Sequence, residues 1–339
     1  MKENKVTAVS LVIIVIFIVG VVVKLAKPVL FPLSLAIFLS FILSPILIFF
    51  SRFKIPRFVS ILFIVLISFF MLYLMGSLFY SSGDTFAAEF PKYGEKIGSI
   101  LSSIQEKFKI SGLEWVSVDW KQHLNVNKIG NFLLSTLGPF LGFLSNLFLI
   151  FIFLVFILAG KGKIKLKIQR SLSELRAHKI IGIMENIDQQ IQRYLAIKTV
   201  VSLITGILAT AVFIAFGVDF AILFGITVFL LNYIPTIGSI ISTLLPFIVT
   251  VFQFETLWPA FWVFVFLTII QQTMGSFVEP RLLGEGLGLS PLLVLFSLFF
   301  WGWLWGIPGM ILAVPIASMV KIICTNIPSL EFIADLMSK

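Results

Sequence analysis

The sequence predicts an all-α, polytopic integral membrane protein with about eight transmembrane segments, some of them broken helices or hairpins. Of its 339 residues, 59% are hydrophobic and 12% are charged, whereas about 25% of the residues in a soluble globular chain are charged. The mean hydropathy is +1.10. Several apolar runs also approach the roughly 20 residues that a helix needs to cross a hydrocarbon core about 30 Å thick.

Charge and rare residue types narrow the class of protein further. Much of the Lys and Arg behind the net charge of +9 lies beside predicted membrane segments, so nucleic acid is not an expected partner. A single cysteine, Cys324, excludes an internal disulfide framework, and His123 and His178 are too far apart in sequence to suggest a metal site. The sequence contains no phosphate-binding G-x-x-x-x-G-K-[ST] loop. We therefore expect no cofactor, no metal, no enzymatic activity and no ATP hydrolysis by this chain.

Residues 1–80 form an N-terminal membrane region with three predicted spans, at 6–23, 28–50 and 58–80. We expect the first to be a retained anchor, because no small-x-small signal-peptide cleavage site follows it. Arg52, Lys54 and Arg57 lie between the second and third spans. The positive-inside rule therefore places this loop in the cytoplasm.

Residues 81–132 differ from the rest of the chain, because six lysines are balanced there by six acidic residues. Apolar residues recur every three or four positions from Phe86 to Phe108, which is the period of an amphipathic helix. We predict a helical extracytoplasmic region that packs on the membrane bundle. A lid over the transport path is the alternative.

A further span is predicted at 133–159, and a basic amphipathic segment follows at 160–198. Nine Lys and Arg stand against three acidic residues in that segment, which indicates a cytoplasmic position in contact with anionic lipid. Apolar residues from Ile180 to Leu195 continue at helical spacing, so we expect a helix that lies on the membrane or on neighbouring helices. Both termini are then cytoplasmic.

Residues 199–324 are predicted to form the transport core, and residues 325–339 a cytoplasmic tail. Spans are expected at 199–217 and 258–277. Two apolar segments, 220–252 and 291–323, are each interrupted near the middle by an Ile-Pro pair, and a second break is predicted in 291–323 at Pro315. Transporters bind substrate where discontinuous helices meet, since the ends of half-helices offer free N–H and C=O groups. The alternative is that the matching Ile-Pro pairs are coincidental.

The polar and helix-breaking residues of this core are the candidates for the substrate path: Asn232, Tyr233, Pro235, Gly238, Gln271, Gln272, Glu279 and Arg281. The amides and the phenol suit an uncharged hydroxylated solute, and hydrogen bonding between helices is the alternative. Glu279 and Arg281 flank Pro280 and are expected to pair across a forced turn. They either fix a loop, or Glu279 carries a proton or cation while Arg281 sets its position.

A second set of residues is predicted to act as hinges: Pro280, Gly284, Gly286, Gly288, Gly306, Pro308 and Gly309. Glycine permits backbone angles that other residues avoid. The three glycines at 284–288 form G-x-G-x-G, which is too short for a dinucleotide-binding fingerprint and lacks its strand and helix. A hinge is therefore the preferred interpretation.

Three motifs carry a resemblance to a known family: NYIPTIG at 232–238, EPRLLG at 279–284 with LSP at 289–291, and WGWLWGIPGM at 301–310 with AVP at 313–315. Their order resembles that of the autoinducer-2 exporter family of membrane proteins, and the layout of N-terminal spans and polar extramembrane region is also similar. The resemblance implies an ATP-independent transporter. It also implies either export of the quorum-sensing furanosyl molecule or sodium/proton antiport.

The leading hypothesis is a multi-pass transporter, or permease, of the cell (inner) membrane that exports a small polar signalling molecule such as autoinducer-2. A monovalent cation (sodium)/proton antiporter is the second hypothesis, and a non-transporting membrane scaffold is the third. Few acidic residues within the predicted spans favour the first over the second. The expected partners are the lipid bilayer and a small molecule or ion, and a homo-oligomer remains open.

Overall fold

The fold is described from a computed structural model, which covers residues 20–78, 126–284 and 287–338, with residues 10, 11, 14, 15, 18 and 81. The side chains of residues 126–146, 162 and 329 are not included. Half of the predicted first span at 6–23 and most of the extracytoplasmic region at 81–132 therefore lie outside the described residues. Gly286 of the predicted hinge also lies outside them.

The described residues are almost entirely helical, and the extended backbone pairs only as an isolated bridge between Leu289 and Ser338. The helices are α1 (Lys27–Arg52), α2 (Arg57–Leu78), α3 (Val126–Ser171), α4 (Glu174–Ala215), α5 (Ala221–Leu231), α6 (Ile237–Gln253), α7 (Trp258–Gln272), a π-helix (Thr273–Val278), α8 (Glu279–Leu283), α9 (Pro291–Trp305), α10 (Ile307–Thr325), a 3-10 turn (Pro328–Leu330) and α11 (Glu331–Met337). The predicted all-α class is confirmed.

Five helical segments of the described chain are long and apolar enough to cross a membrane: α1, α2, α4, the continuous run Trp258–Leu283, and α10. Helix α3 would be a sixth, if its two parts, which meet at an angle of 54°, count as one span. Helices α5, α6 and α9 are apolar but shorter, with 11, 17 and 15 residues. The described residues therefore do not confirm a count of eight spans.

Helix α4 joins two elements that the sequence analysis separates. Its 42 residues make it about 63 Å long, or roughly twice the thickness of a hydrocarbon core. The amphipathic stretch from Ile180 to Leu195 and the span predicted from residue 199 are parts of this one helix, because no proline interrupts it. Ile191 and Leu195 are fully buried, so the segment packs on neighbouring helices. The predicted boundary at residue 198 falls inside this continuous helix.

The chain divides into two compact units, and the first comprises residues 1–67, 146–198 and 280–339. In this unit α9 and α10 form an antiparallel hairpin, in which the Ser297 hydroxyl donates to the carbonyl oxygen of Ala313 over 2.9 Å. The predicted break at 302–309 is confirmed as the turn of this hairpin. A second break predicted at Pro315 was wrong, since α10 runs through this proline without interruption.

The second unit comprises residues 68–145 and 199–279. Here the C-terminal part of α4 packs with α5, α6 and α7 around one buried cluster: Ala209, Phe213, Val218, Phe224, Val228, Val249, Val263 and Leu267. Gly225 lies so close to α4 that a Cβ atom there would overlap the Thr210 hydroxyl. Small residues allow such close approach between membrane helices. This packing fixes the positions of the polar residues at the break between α5 and α6.

Candidate functional site

The predicted interruption at Pro235 and Gly238 is confirmed as a break between α5 and α6, at residues 232–236. Thr236 has a φ of +62°, a conformation that is uncommon for residues other than glycine. A Cβ atom at Gly238 would overlap the carbonyl oxygen of Leu231. Only glycine therefore lets the start of α6 lie this close to the end of α5.

Two side chains of the break are held by α4. The amide of Asn232 donates to the Ser202 hydroxyl oxygen over 3.0 Å, and the Tyr233 hydroxyl donates to the Thr199 hydroxyl oxygen over 2.8 Å. Asn232, Ser202 and Tyr233 are all buried. Since Thr199 and Ser202 are three residues apart on one helix, they are neighbours on its surface. The break is thereby attached to one face of α4.

The sequence left two interpretations open for Asn232 and Tyr233, namely a substrate path and hydrogen bonding between helices. These contacts are compatible with both. Both side chains make interhelical hydrogen bonds in this conformation. An asparagine amide also has a carbonyl oxygen and a second N–H, and each hydroxyl can donate and accept. The cluster can therefore exchange hydrogen bonds with a hydroxylated solute, at a place where the ends of two helices meet.

The adjacent glutamines Gln271 and Gln272 have different environments. Gln271 is buried, and its side-chain amide donates to the buried Ser242 hydroxyl oxygen over 2.8 Å, linking α7 to α6. Gln272 is exposed, and its side-chain oxygen accepts from the Ser276 hydroxyl over 2.9 Å. Gln271 is therefore a packing residue, whereas Gln272 presents a polar group on the outside of an apolar segment.

A π-helix at Thr273–Val278 joins α7 to α8. Its wider turn precedes Pro280, which has no N–H and whose ring would crowd the preceding turn of an α-helix. The chain remains helical through Pro280, so the forced turn expected at this residue was wrong. π-Helical turns are frequent at functional sites, and this one begins directly after Gln272.

Glu279 and Arg281 do not form the expected ion pair, although both are described by the structure. The physical reason is the helix, since residues two apart on an α-helix do not face each other. Glu279 is half-buried and Arg281 is exposed. Their direct roles in transport remain predictions.

The glycine loop after α8 is held in place by a lysine that the sequence analysis overlooked. Gly284 and Gly288 have φ angles of +66° and +61°, which favour glycine. The ammonium group of Lys321 donates to the carbonyl oxygens of Gly288 over 2.6 Å and of Leu287 over 3.5 Å. Lys321 is the one charged residue in the apolar run 291–323, and that was the signal available in the sequence.

The C-terminal segment also contacts this loop. Ser290 donates its N–H to the carbonyl oxygen of Met337 over 3.0 Å, next to the bridge between Leu289 and Ser338. Part of the predicted tail at 325–339 is thus packed against the fold. Hinge movement at Gly284 and Gly288 remains a prediction, but the loop is anchored from two sides in this conformation.

The connection between α9 and α10 is a single residue, Gly306, with a φ of +77°. Pro308 lies in the first turn of α10, where its missing N–H has no cost. A Cβ atom at Gly309 would overlap the carbonyl oxygen of Trp301. These three predicted hinge residues make the turn tight, and their movement is untested. The buried indole N–H of Trp305 has no hydrogen-bond partner among the described residues.

The burial of one further polar residue, Lys198, was not predicted from the sequence. Lys198 is 4% exposed and lies four residues before Ser202, on the same face of α4. A buried lysine in an apolar protein is costly and is a candidate for function. Lys198 is the last residue of the predicted basic segment 160–198, directly before the predicted span 199–217.

Comparison with known proteins bears on this arrangement. The family model described as "AI-2E family transporter" matches residues 11–329. The AI-2 transport protein TqsA of Escherichia coli K12 is 32% identical over 96% of this chain and 93% of its own length. A proposed transport protein of Borreliella burgdorferi is 32% identical over 98% of this chain and 90% of its own length.

Proposed function

Because the chain belongs to the AI-2E family of membrane transporters, we propose that it exports a small, polar, uncharged quorum-sensing molecule such as autoinducer-2. The observation that carries this proposal is the chemistry of the helix break. Asn232 and Tyr233 meet hydroxyl groups of α4 there, and all these groups are neutral donors and acceptors. They suit a hydroxylated furanose better than a charged solute.

Gln272 extends the proposed path along α7. A primary amide in contact with lipid is costly, because hydrocarbon offers it no hydrogen-bond partner. Its exposed position beside the π-helix is therefore best explained by a polar surface or a water-filled passage that covers it. Gln271 has no such role in this proposal, because it is bonded to Ser242.

Export is proposed to be independent of ATP hydrolysis by this chain. The sequence contains no G-x-x-x-x-G-K-[ST] loop, which P-loop pumps use to bind the phosphates of ATP. A solute gradient or an ion gradient across the cytoplasmic membrane would then supply the energy. The relative named as an AI-2 transport protein supports the choice of solute.

Monovalent cation/proton antiport is the second candidate, and Glu279 is the observation that favours it. This carboxylate is half-buried and directly follows the π-helix, within the apolar run Trp258–Leu283. Ionisable residues in such segments often lie on ion or proton pathways. The neutral groups of the break fit this candidate less well.

Proteoliposomes with the full-length protein test both candidates. Vesicles loaded with labelled furanosyl signal should release it faster than protein-free vesicles, and Gln272→Leu should slow this release. Gln169→Leu, at an exposed position of α3, is the matched control and should not. Release at the rate of protein-free vesicles would contradict the export proposal.

The same vesicles, carrying an internal pH dye, report antiport when a sodium gradient is imposed. Sodium-driven proton movement that Glu279→Gln abolishes would favour the second candidate. If neither flux occurs, both transport proposals fail and the scaffold hypothesis remains.

A further inference from the structure

Two basic segments, separated by about a hundred residues of sequence, meet in the first unit. The guanidinium group of Arg57, at the start of α2, donates to the carbonyl oxygen of Leu158 in α3 over 2.7 Å. This carbonyl lies just before the place where α3 bends by 54°, between Lys161 and Lys163. A bend at this position frees carbonyl groups of the preceding turn, and Arg57 satisfies one of them.

Lys161 holds the same region together from inside. Its ammonium group lies 3.0 Å from the Ser44 hydroxyl oxygen and 3.4 Å from a carboxylate oxygen of Asp188. It also lies 4.9 Å from the centre of the Phe41 ring, within the range of a cation–π contact. Lys161 therefore connects α1, α3 and α4, and its charge is largely matched within the protein.

The cations around the connection between α1 and α2 have no acidic neighbour in sequence, whereas Lys165 of α3 pairs with Glu185 of α4. Arg52, the last residue of α1, and Lys54, in the loop between α1 and α2, are both exposed, and Lys163 is exposed just beyond the bend of α3. The sequence has no acidic residue between Glu3 and Asp84. We call Arg52, Lys54, Arg57 and Lys163 the interfacial basic patch.

Exposed phenylalanines border this patch. Phe49, Phe53 and Phe58 are 54%, 64% and 76% exposed, and the rings of Phe49 and Phe53 are 5.1 Å apart. The patch lies at the ends of two apolar helices, α1 and α2, which places it at a membrane surface. Cations above exposed apolar rings, at the end of a membrane span, match the headgroup and the upper acyl chain of one phospholipid.

We propose that the interfacial basic patch binds the phosphate headgroup of an anionic phospholipid of the cytoplasmic leaflet. The exposed phenylalanines favour a lipid over free phosphate as the ligand, since an inorganic anion has no apolar part that could contact their rings. Bound lipid would bridge the loop between α1 and α2 and the bend of α3, which already meet through Arg57. This site is separate from the break between α5 and α6.

The test uses full-length protein in a neutral detergent, with phosphatidylglycerol or phosphatidylcholine added and bound lipid counted by native mass spectrometry. Phosphatidylglycerol should bind in preference to phosphatidylcholine. The double variant Arg52→Gln/Lys54→Gln should weaken its binding about 30-fold, because each cation near an anionic headgroup contributes about 1 kcal/mol. Within the described residues, neither side chain donates a hydrogen bond, so folding should be preserved.

The matched control is Arg176→Gln/Lys179→Gln. It removes the same charge from exposed positions of α4 that are not part of the interfacial basic patch. It should change binding less than threefold. Equal losses in the two double variants would show a diffuse charge effect and overturn the proposal. Equal binding of both lipids, or complete competition by inorganic phosphate, would overturn it as well.

Discussion

The side-chain amide of Asn232 donates a hydrogen bond to the buried hydroxyl of Ser202, 3.0 Å away on α4. Since Asn232 begins the break between α5 and α6, this bond connects an irregular piece of backbone to a continuous helix. The structural and the functional interpretations of Asn232 therefore concern the same contact. A double-mutant cycle distinguishes the structural from the functional interpretation.

We predict that Asn232→Ala and Ser202→Ala each lower the free energy of unfolding in detergent by about 1 kcal/mol, with a coupling energy near 0.6 kcal/mol. The same cycle is then applied to the rate of solute release. If the contact is only structural, the double variant should release solute no more slowly than the slower single variant. A larger loss with Asn232→Ala than with Ser202→Ala, at equal stability, would indicate that the amide contacts the solute.

We predict that Gly238→Ala destabilises the protein by about 1–3 kcal/mol, because its Cβ atom would overlap the Leu231 carbonyl oxygen. The control is Gly182→Ala, where a Cβ atom meets nothing within 4 Å. That substitution should be neutral or stabilising by up to about 1 kcal/mol, since alanine favours a helix over glycine. Thermal unfolding in detergent measures both. Equal stability of the two variants would contradict the close approach of α5 and α6.

We predict opposite outcomes for the two adjacent glutamines. Gln271→Leu should lower the free energy of unfolding by about 1 kcal/mol, because the buried Ser242 hydroxyl would lose the hydrogen bond that it accepts and keep only the one that it donates to the carbonyl oxygen of Ser239. Gln272→Leu should change stability by less than about 0.5 kcal/mol but slow solute release. Unfolding and release are measured on the same preparations. A stable Gln271→Leu protein with slow release would place the path at Gln271 instead.

We predict that Lys321→Met loosens the glycine loop, because the ammonium group donates to the carbonyl oxygens of Leu287 and Gly288. Loss of such charge-assisted hydrogen bonds costs about 1–3 kcal/mol. Hydrogen–deuterium exchange should rise at residues 284–290 and stay unchanged in α6. Lys179→Met, at an exposed position, is the control and should alter neither region. An unchanged exchange rate in the loop would exclude Lys321 as its anchor.

Several features of the fold follow directly from local sequence. Proline and glycine at 235 and 238 predicted the break between α5 and α6, and Gly306 with Pro308 predicted the turn between α9 and α10. Both predictions hold because the missing N–H of proline and the missing Cβ of glycine act within a few residues. Pro280 and Pro315 show the limit of such local prediction, because the chain stays helical at both. A π-helix precedes Pro280, and Pro315 lies inside a continuous α-helix.

The sequence by itself determined that this is an all-α membrane protein and which apolar segments are interrupted, because hydropathy and backbone preferences are properties of single segments. Only the tertiary structure decided which polar side chains are engaged. Gln271 and Gln272 are neighbours in sequence, yet one is bonded to Ser242 and the other is exposed. Lys321 holds a loop that lies more than 30 residues earlier in the chain. Such contacts depend on how helices pack against each other, and no local pattern specifies that packing.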